Sequence, residues 1–270
     1  MFFGWFKNRR RRRWLAEREP ATWEKWLLAN VWHYQHLDSK QQRKMREFVK
    51  VCFHEKDWVG GRDFSVTDEM RVTIAGQAAL LTLGFGEGFY FDRLHTIIVY
   101  PSSYQNEPTS REHLLIPSSS DPVFGGAARS GEAWTGGPIV LSWDRLLAEA
   151  QNPRSRTNLV LHEFAHHMDG LDGNADGAPP LTSYEIEKEW FRVISDEYHE
   201  LRRSSKQGTY TLLDKYGAKN QAEFFAVATE CFFTRPHHLH DDSLELFGML
   251  ETLFGQDPRT WIPQSANSPS

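Results

Sequence analysis

Cysteine is nearly absent from this sequence. Cys52 and Cys231 are the two thiols of a 270-residue chain, far apart and outside any CxxC pattern. That excludes a disulfide framework and a thiolate zinc site, and it fits a reducing compartment. Long apolar runs are missing too. No window approaches the roughly 18 consecutive apolar residues of a membrane-spanning helix, and no apolar signal core follows the basic run near the start. A cytoplasmic protein without a transmembrane segment is therefore expected. Positive charge is scarce outside one place: residues 1–18 carry Lys7, Arg9 to Arg13 and Arg18 against Glu17, or +6, which leaves −11 for the rest of a chain whose net charge is −5. An acidic body disfavours nucleic-acid binding.

What is present is enough for one large core. With 40% apolar and 13% aromatic residues, the chain is expected to form a single domain over residues 21–257. A basic N-terminal tail (1–20) and a flexible C-terminal tail (258–270) would flank it. The opening Met1-Phe2-Phe3-Gly4-Trp5-Phe6 and the arginines after it read as a solvated segment, or as weak contact with an acidic membrane surface or an acidic partner.

Periodicity predicts two helices between Thr22 and Asp57, the second opened by a capping box at Ser39-Lys40-Gln41-Gln42, and a third from about Asp68 to Leu83. His95 to Tyr100 and Gly137 to Trp143 read as strands, separated by a long Ser-, Pro- and Gly-rich irregular stretch from Pro101 to Gly137. Asp144 is placed to cap a short helix ending near Ala150. Later helices are expected from Thr182 to about Arg203, Gln221 to Thr234 and Ser243 to Phe254.

The chemistry concentrates in Leu161-His162-Glu163-Phe164-Ala165-His166, an HExxH pattern within an apolar helical run that Gly170 can stop. At 3.6 residues per turn, His162 and His166 share one helix face about a turn apart, so two imidazoles can grip one Zn²⁺ while Glu163 flanks the ion's water as general base. A catalytic zinc usually takes three protein ligands, and the third belongs on a later helix. Glu223 and Glu230 are both candidates: they share a face, differ by about 10 Å along the axis, and only one can reach the ion. Glu223 could instead complete a capping box with Asn220. By spacing alone the two acids are equal.

His162-Glu163-Phe164-Ala165-His166-His167-Met168-Asp169, with Tyr216 seven residues before the glutamate of Ala222-Glu223-Phe224-Phe225-Ala226-Val227, resembles the Mlc titration factor A (MtfA) family of bacterial zinc peptidases. Gly137-Pro138-Ile139-Val140-Leu141 matches a run upstream of that family's motif helix, and the Glu-Phe-Phe-Ala segment also resembles the metal-binding segment of anthrax lethal factor. The likeness covers about Trp23 to Pro258, with the arginine-rich start and the stretch Pro117 to Gly131 departing from the family pattern.

The resemblance implies an α+β, helix-rich zincin of the gluzincin kind with a small sheet and one Zn²⁺ per chain. It implies Glu223 as third ligand and Tyr216 as hydrogen-bond donor to the tetrahedral oxyanion, where the residue alone would also suit the core. It further implies aminopeptidase-like activity on short peptides and association with a transcriptional repressor that controls glucose uptake.

Asp169, three residues past His166, is placed either to accept a proton from a ligand imidazole or to sit at the helix end, and His167 points about 100° off the ligand face. The strand from Ile139 to Trp143 could pair with an extended peptide substrate. Two other signals are set aside. Asp172 to Gly177 imitates the start of a calcium loop but has Ser183 at the twelfth position, and His237, His238 and His240 read as a polar helix entry. The rival function is a regulator-binding protein that sequesters a transcription factor, with zinc structural or vestigial.

Overall fold

The computed structural model describes residues 2–61, 63–86, 88–102 and 137–264. Most of the irregular stretch expected between Pro101 and Gly137 lies outside them.

Helix α1 (Phe2–Ala16) precedes α2 (Ala21–Asn30), a 3-10 turn (Trp32–His36) and α3 (Ser39–Glu55). The capping box of α3 is real but sits one residue earlier than its sequence suggests. Asp38 is the N-cap, accepting the Gln41 N–H at 2.8 Å while the Gln41 side chain accepts the Asp38 N–H at 3.0 Å. Then come β1 (Asp57–Gly60), α4 (Asp68–Leu80), β2 (Thr96–Tyr100), β3 (Ile139–Ser142) and α5 (Trp143–Gln151). Ser142, not Asp144, occupies the N-cap of α5, and Asp144 falls in its first turn. The metal-motif helix is α6 (Leu159–Asp169), followed by α7 (Tyr184–Gln207), a 3-10 turn (Lys215–Ala218), α8 (Gln221–Thr234), α9 (Pro236–Asp242) and α10 (Leu244–Phe254).

The small sheet has the order β1-β2-β3 with both pairings parallel, Trp58 opposite Ile97 and Ile97 opposite Ile139. Parallel neighbours need long crossovers. The β1–β2 crossover carries α4, which is buried along nearly its whole length. The sheet and helices together form the helix-rich α+β architecture of a zincin-like domain.

Both ends differ from their expected character as tails. Arg11 of α1 is 6% exposed and is held by the Glu55 carboxylate through bonds of 2.7 and 2.6 Å, with Asp92 as a further partner. Lys7 reaches the same two acids at 3.3 and 3.2 Å, and Trp14 stacks on His54. At the other end Pro258–Thr260 forms a 3-10 turn that buries Trp261 and Ile262; residues 265–270 lie outside the described ones.

One buried turn braces the back of α6. Phe91 packs its ring against Phe164 at 4.9 Å in an edge-on contact, with its backbone at φ +50°, an unusual value for a bulky residue. Lys56, also buried, donates to the carbonyls of Phe91 and Leu94 at 2.7 and 2.9 Å, joining the Leu94 N–H on the first and satisfying the second, which would otherwise lose water without compensation.

Candidate metal centre

The N-terminus of α6 is fixed by three side chains from three elements. Asn158 caps it, accepting the Leu161 N–H at 3.0 Å; Glu149 of α5 accepts the Leu159 N–H at 2.6 Å; Glu230 of α8 accepts the Asn158 N–H. The Asn158 amide in turn donates to Gln77 of α4 at 2.6 Å. Acceptors with negative charge belong at this end, where the first N–H groups of a helix have no partner within it. The first turn therefore presents His162 from a fixed frame.

His162 and His166 then converge with Glu223 of α8. The two Nε2 atoms lie 3.1 Å apart, and Glu223 Oε2 is 3.2 Å from that of His162 and 3.1 Å from that of His166. Zinc bonds of about 2.1 Å in a tetrahedron imply ligand–ligand edges of roughly 3.4 Å, so the three atoms are spaced as one small cation requires. They form the one grouping of three or more potential ligands among the described residues.

Electrostatics point the same way. Burial alone would lower the pKa of the His162 imidazolium, but the carboxylates of Glu223 and Glu230 outweigh it and raise the value to about 10. Burial would raise that of Glu223, yet the two imidazoles hold it well below the usual carboxylate range. The pocket thus favours positive charge. Glu163 is buried, which pushes its pKa up to about 8 against the pull of His162, and its Oε1 meets no hydrogen-bond partner among the described residues. An orphaned buried carboxylate oxygen beside a triad of nitrogen and oxygen donors fits a zinc site with a water to be handled.

Glu223 emerges from the cap without being consumed by it. The Asn220 side chain accepts the Glu223 N–H at 2.8 Å, as the capping alternative requires, but the Glu223 carboxylate turns to the histidines rather than back to Asn220. Glu230 has a different place from the one weighed for it: its Oε1 accepts the Nδ1–H of His162 at 2.7 Å. That bond fixes the tautomer with the Nε2 lone pair free to ligate.

Asp169, one of the candidates for such an orienting role, instead receives the Gly177 N–H on both oxygens at 2.9 and 3.0 Å. Burial raises its pKa to about 6 against that bond. Tyr216 lies in the turn before α8 with its ring centroid 6.1 Å from that of His162. Lys219, unassigned from sequence, donates to the Tyr216 hydroxyl at 3.3 Å and stands 3.9 Å from Glu223 Oε1. His167 faces away, toward Phe91.

Residues 5–255 match the family described as Glucose-regulated metallo-peptidase M90. The chain belongs to that metallopeptidase family. A protein of Synechocystis sp. is 31% identical over 240 residues, covering 88% of this chain and 85% of its own. Mlc titration factor A of Yersinia pestis is 26% identical over 236 residues, 86% of this chain and 84% of the relative, as is the protein of that name from Yersinia pseudotuberculosis. The family resemblance carried by the HExxH helix and the Ala-Glu-Phe-Phe-Ala-Val segment is thus shown.

Proposed function

We propose that the chain is a zinc-dependent peptidase of the gluzincin kind, with His162, His166 and Glu223 as ligands. The observation that carries this reading is the spacing of three donor atoms at 3.1–3.2 Å beside the unpaired Glu163 oxygen. Zinc held there would supply Lewis acidity to water and to the scissile carbonyl.

The remaining work falls to the chain's own groups. Glu163 takes the water proton and passes it to the departing amine, its Oε1 being the buried acceptor left without a hydrogen-bond partner among the described residues. Tyr216 donates to the oxyanion, with the Lys219 ammonium at its hydroxyl adding positive charge. The edge of β3, just before α5 and α6, is the candidate strand for pairing with an extended peptide.

Aminopeptidase-like preference and a cytoplasmic location complete the proposal. The first rests on the family resemblance. The second rests on the free buried thiols, Cys52 and Cys231; no helix among the described residues is long and apolar enough to cross a membrane. The name of the Yersinia relatives and the family description support engagement of a transcriptional repressor linked to sugar uptake.

Cleavage of a peptide library by wild type and by Glu163→Gln, with and without chelator, tests the enzyme reading. The variant should retain one zinc and lose about 10²–10⁴-fold in turnover. Undiminished turnover in Glu163→Gln, or cleavage indifferent to chelation, would remove the assignment. A chain that binds zinc and a repressor but cleaves nothing would favour the sequestering reading.

A further inference from the structure

Helix α1 has two faces of different character. At 100° per residue, Lys7, Arg11 and Trp14 fall on one side, and these are the groups that meet Glu55, Asp92 and His54. Lys50 adds to the clamp by donating to the Glu17 carbonyl at 2.6 Å. Trp5, Arg9 and Arg13 form a row on the opposite side, with Arg12 and Phe6 beside it, all exposed, whereas Arg10 lies over the ring of the body-facing Trp14 at 6.0 Å. Trp5 is 52% exposed and Phe6 57%, and Arg9 lies over the Trp5 ring at 5.5 Å. No acidic residue occurs within α1; Glu17, just past its end, pairs with Arg13 at 3.5 Å.

We propose that this outward face docks on an anionic lipid bilayer. Trp5 and Phe6 enter the boundary between headgroups and acyl chains, while Arg9, Arg12 and Arg13 bind lipid phosphate and carboxylate. Two large aromatics and three arginines on one face, with Glu17 at its far end against Arg13 as the single acid, match what a membrane surface offers: a continuous sheet of negative charge above an apolar layer. A folded acidic partner would need a shaped recess for the rings as well as carboxylates for the arginines. The buried Arg11 pair holds α1 to the body and leaves the basic face turned outward. Repulsion between the bilayer and the rest of the chain, which carries −11 outside residues 1–18, confines the contact to α1.

Co-sedimentation of the full-length, zinc-loaded protein with phosphatidylcholine vesicles and with phosphatidylcholine–phosphatidylserine vesicles provides the test. Binding should require phosphatidylserine and weaken with salt. The combined Arg9→Ala, Arg12→Ala and Arg13→Ala variant should bind about a hundredfold more weakly, at about a factor of five for each basic residue. In vesicles with brominated acyl chains, Trp5→Phe should lose a component of tryptophan quenching seen in wild type. Circular dichroism and peptide cleavage of these variants should equal wild type, since none of the residues lies in the metal centre. Failure to bind anionic vesicles, equal binding to neutral ones, or unchanged binding by the triple variant would overturn the proposal. Arginine-dependent retention on polyglutamate without vesicle binding would overturn it in favour of an acidic protein partner.

Discussion

Glu230 accepts the Nδ1–H of His162 at 2.7 Å, while Glu223, seven residues earlier on the same helix, faces the other nitrogen of that ring at 3.2 Å. One helix therefore supplies both the carboxylate that would share the ion and the one that aims a neighbouring ligand. Outer partners of this kind typically contribute about 10–100-fold to metal affinity. Glu230→Ala should lower zinc affinity by that much in a chelator competition, and Glu230→Gln, whose amide oxygen can still accept the Nδ1–H, should lose less. Equal zinc affinity in wild type and Glu230→Ala would contradict the orienting role.

Gly177 is the second point of leverage. Its φ is +83°, a Cβ there would stand 2.5 Å from the Gln221 carbonyl oxygen, its N–H serves Asp169, and its carbonyl accepts from the Trp190 indole at 2.9 Å. Gly177→Ala combines backbone strain, on the order of 1–3 kcal/mol, with pressure on the first turn of α8, two residues from Glu223. A lower melting temperature together with weaker zinc binding is expected. Loss of stability with unchanged affinity would confine the effect to the loop.

Lys56→Met tests the brace behind α6. Removing the ammonium leaves the Leu94 carbonyl without its donor, at a cost of about 1–3 kcal/mol, while the Phe91 carbonyl keeps the Leu94 N–H at 2.9 Å. Urea midpoints should fall accordingly. An unchanged midpoint would mean that water or a shifted backbone replaces the lysine.

Acid sensitivity should trace in part to His33. Its burial lowers the pKa to about 3, against 6.5 for an ordinary histidine, with its Nε2–H donating to the Phe233 carbonyl at 3.0 Å and His36 the facing titratable group. Below pH 6.5 the unfolded chain takes up a proton that the folded chain refuses until about pH 3. Stability from this group is thus complete above 6.5 and lost as pH falls toward 3, by on the order of 3 kcal/mol at pH 4. His33→Gln should flatten that limb of a stability–pH curve; His36, its own pKa also lowered by burial, would keep a smaller slope. Identical slopes in wild type and variant would count against it.

The HExxH helix and the pairing of its two histidines were readable because they depend on local period: four-residue spacing places His162 and His166 together whatever surrounds them. Two of the three strands were readable for their β-branched runs. β1 was not, because Asp57-Trp58-Val59-Gly60 is too short to show alternation. Choosing between Glu223 and Glu230 required the resemblance, and the hydrogen bond that gives Glu230 its role depends on how α6 and α8 pack, which spacing along one helix does not encode. Arg11 could not be told from the four arginines around it. Only the tertiary placement of Glu55 and Asp92 separates one buried cation from its solvated neighbours.

The metal centre joins residues that are remote along the chain, with His166 and Glu223 57 positions apart and the whole of α7 between them. A ribosome-bound chain that has emerged only as far as α6 owns two imidazoles and no third donor, so it cannot grip an ion in a hydrolytic geometry. On the proposed reading an ion could be gripped only after the chain between His166 and Glu223 has packed, and its binding energy would then lock the finished topology.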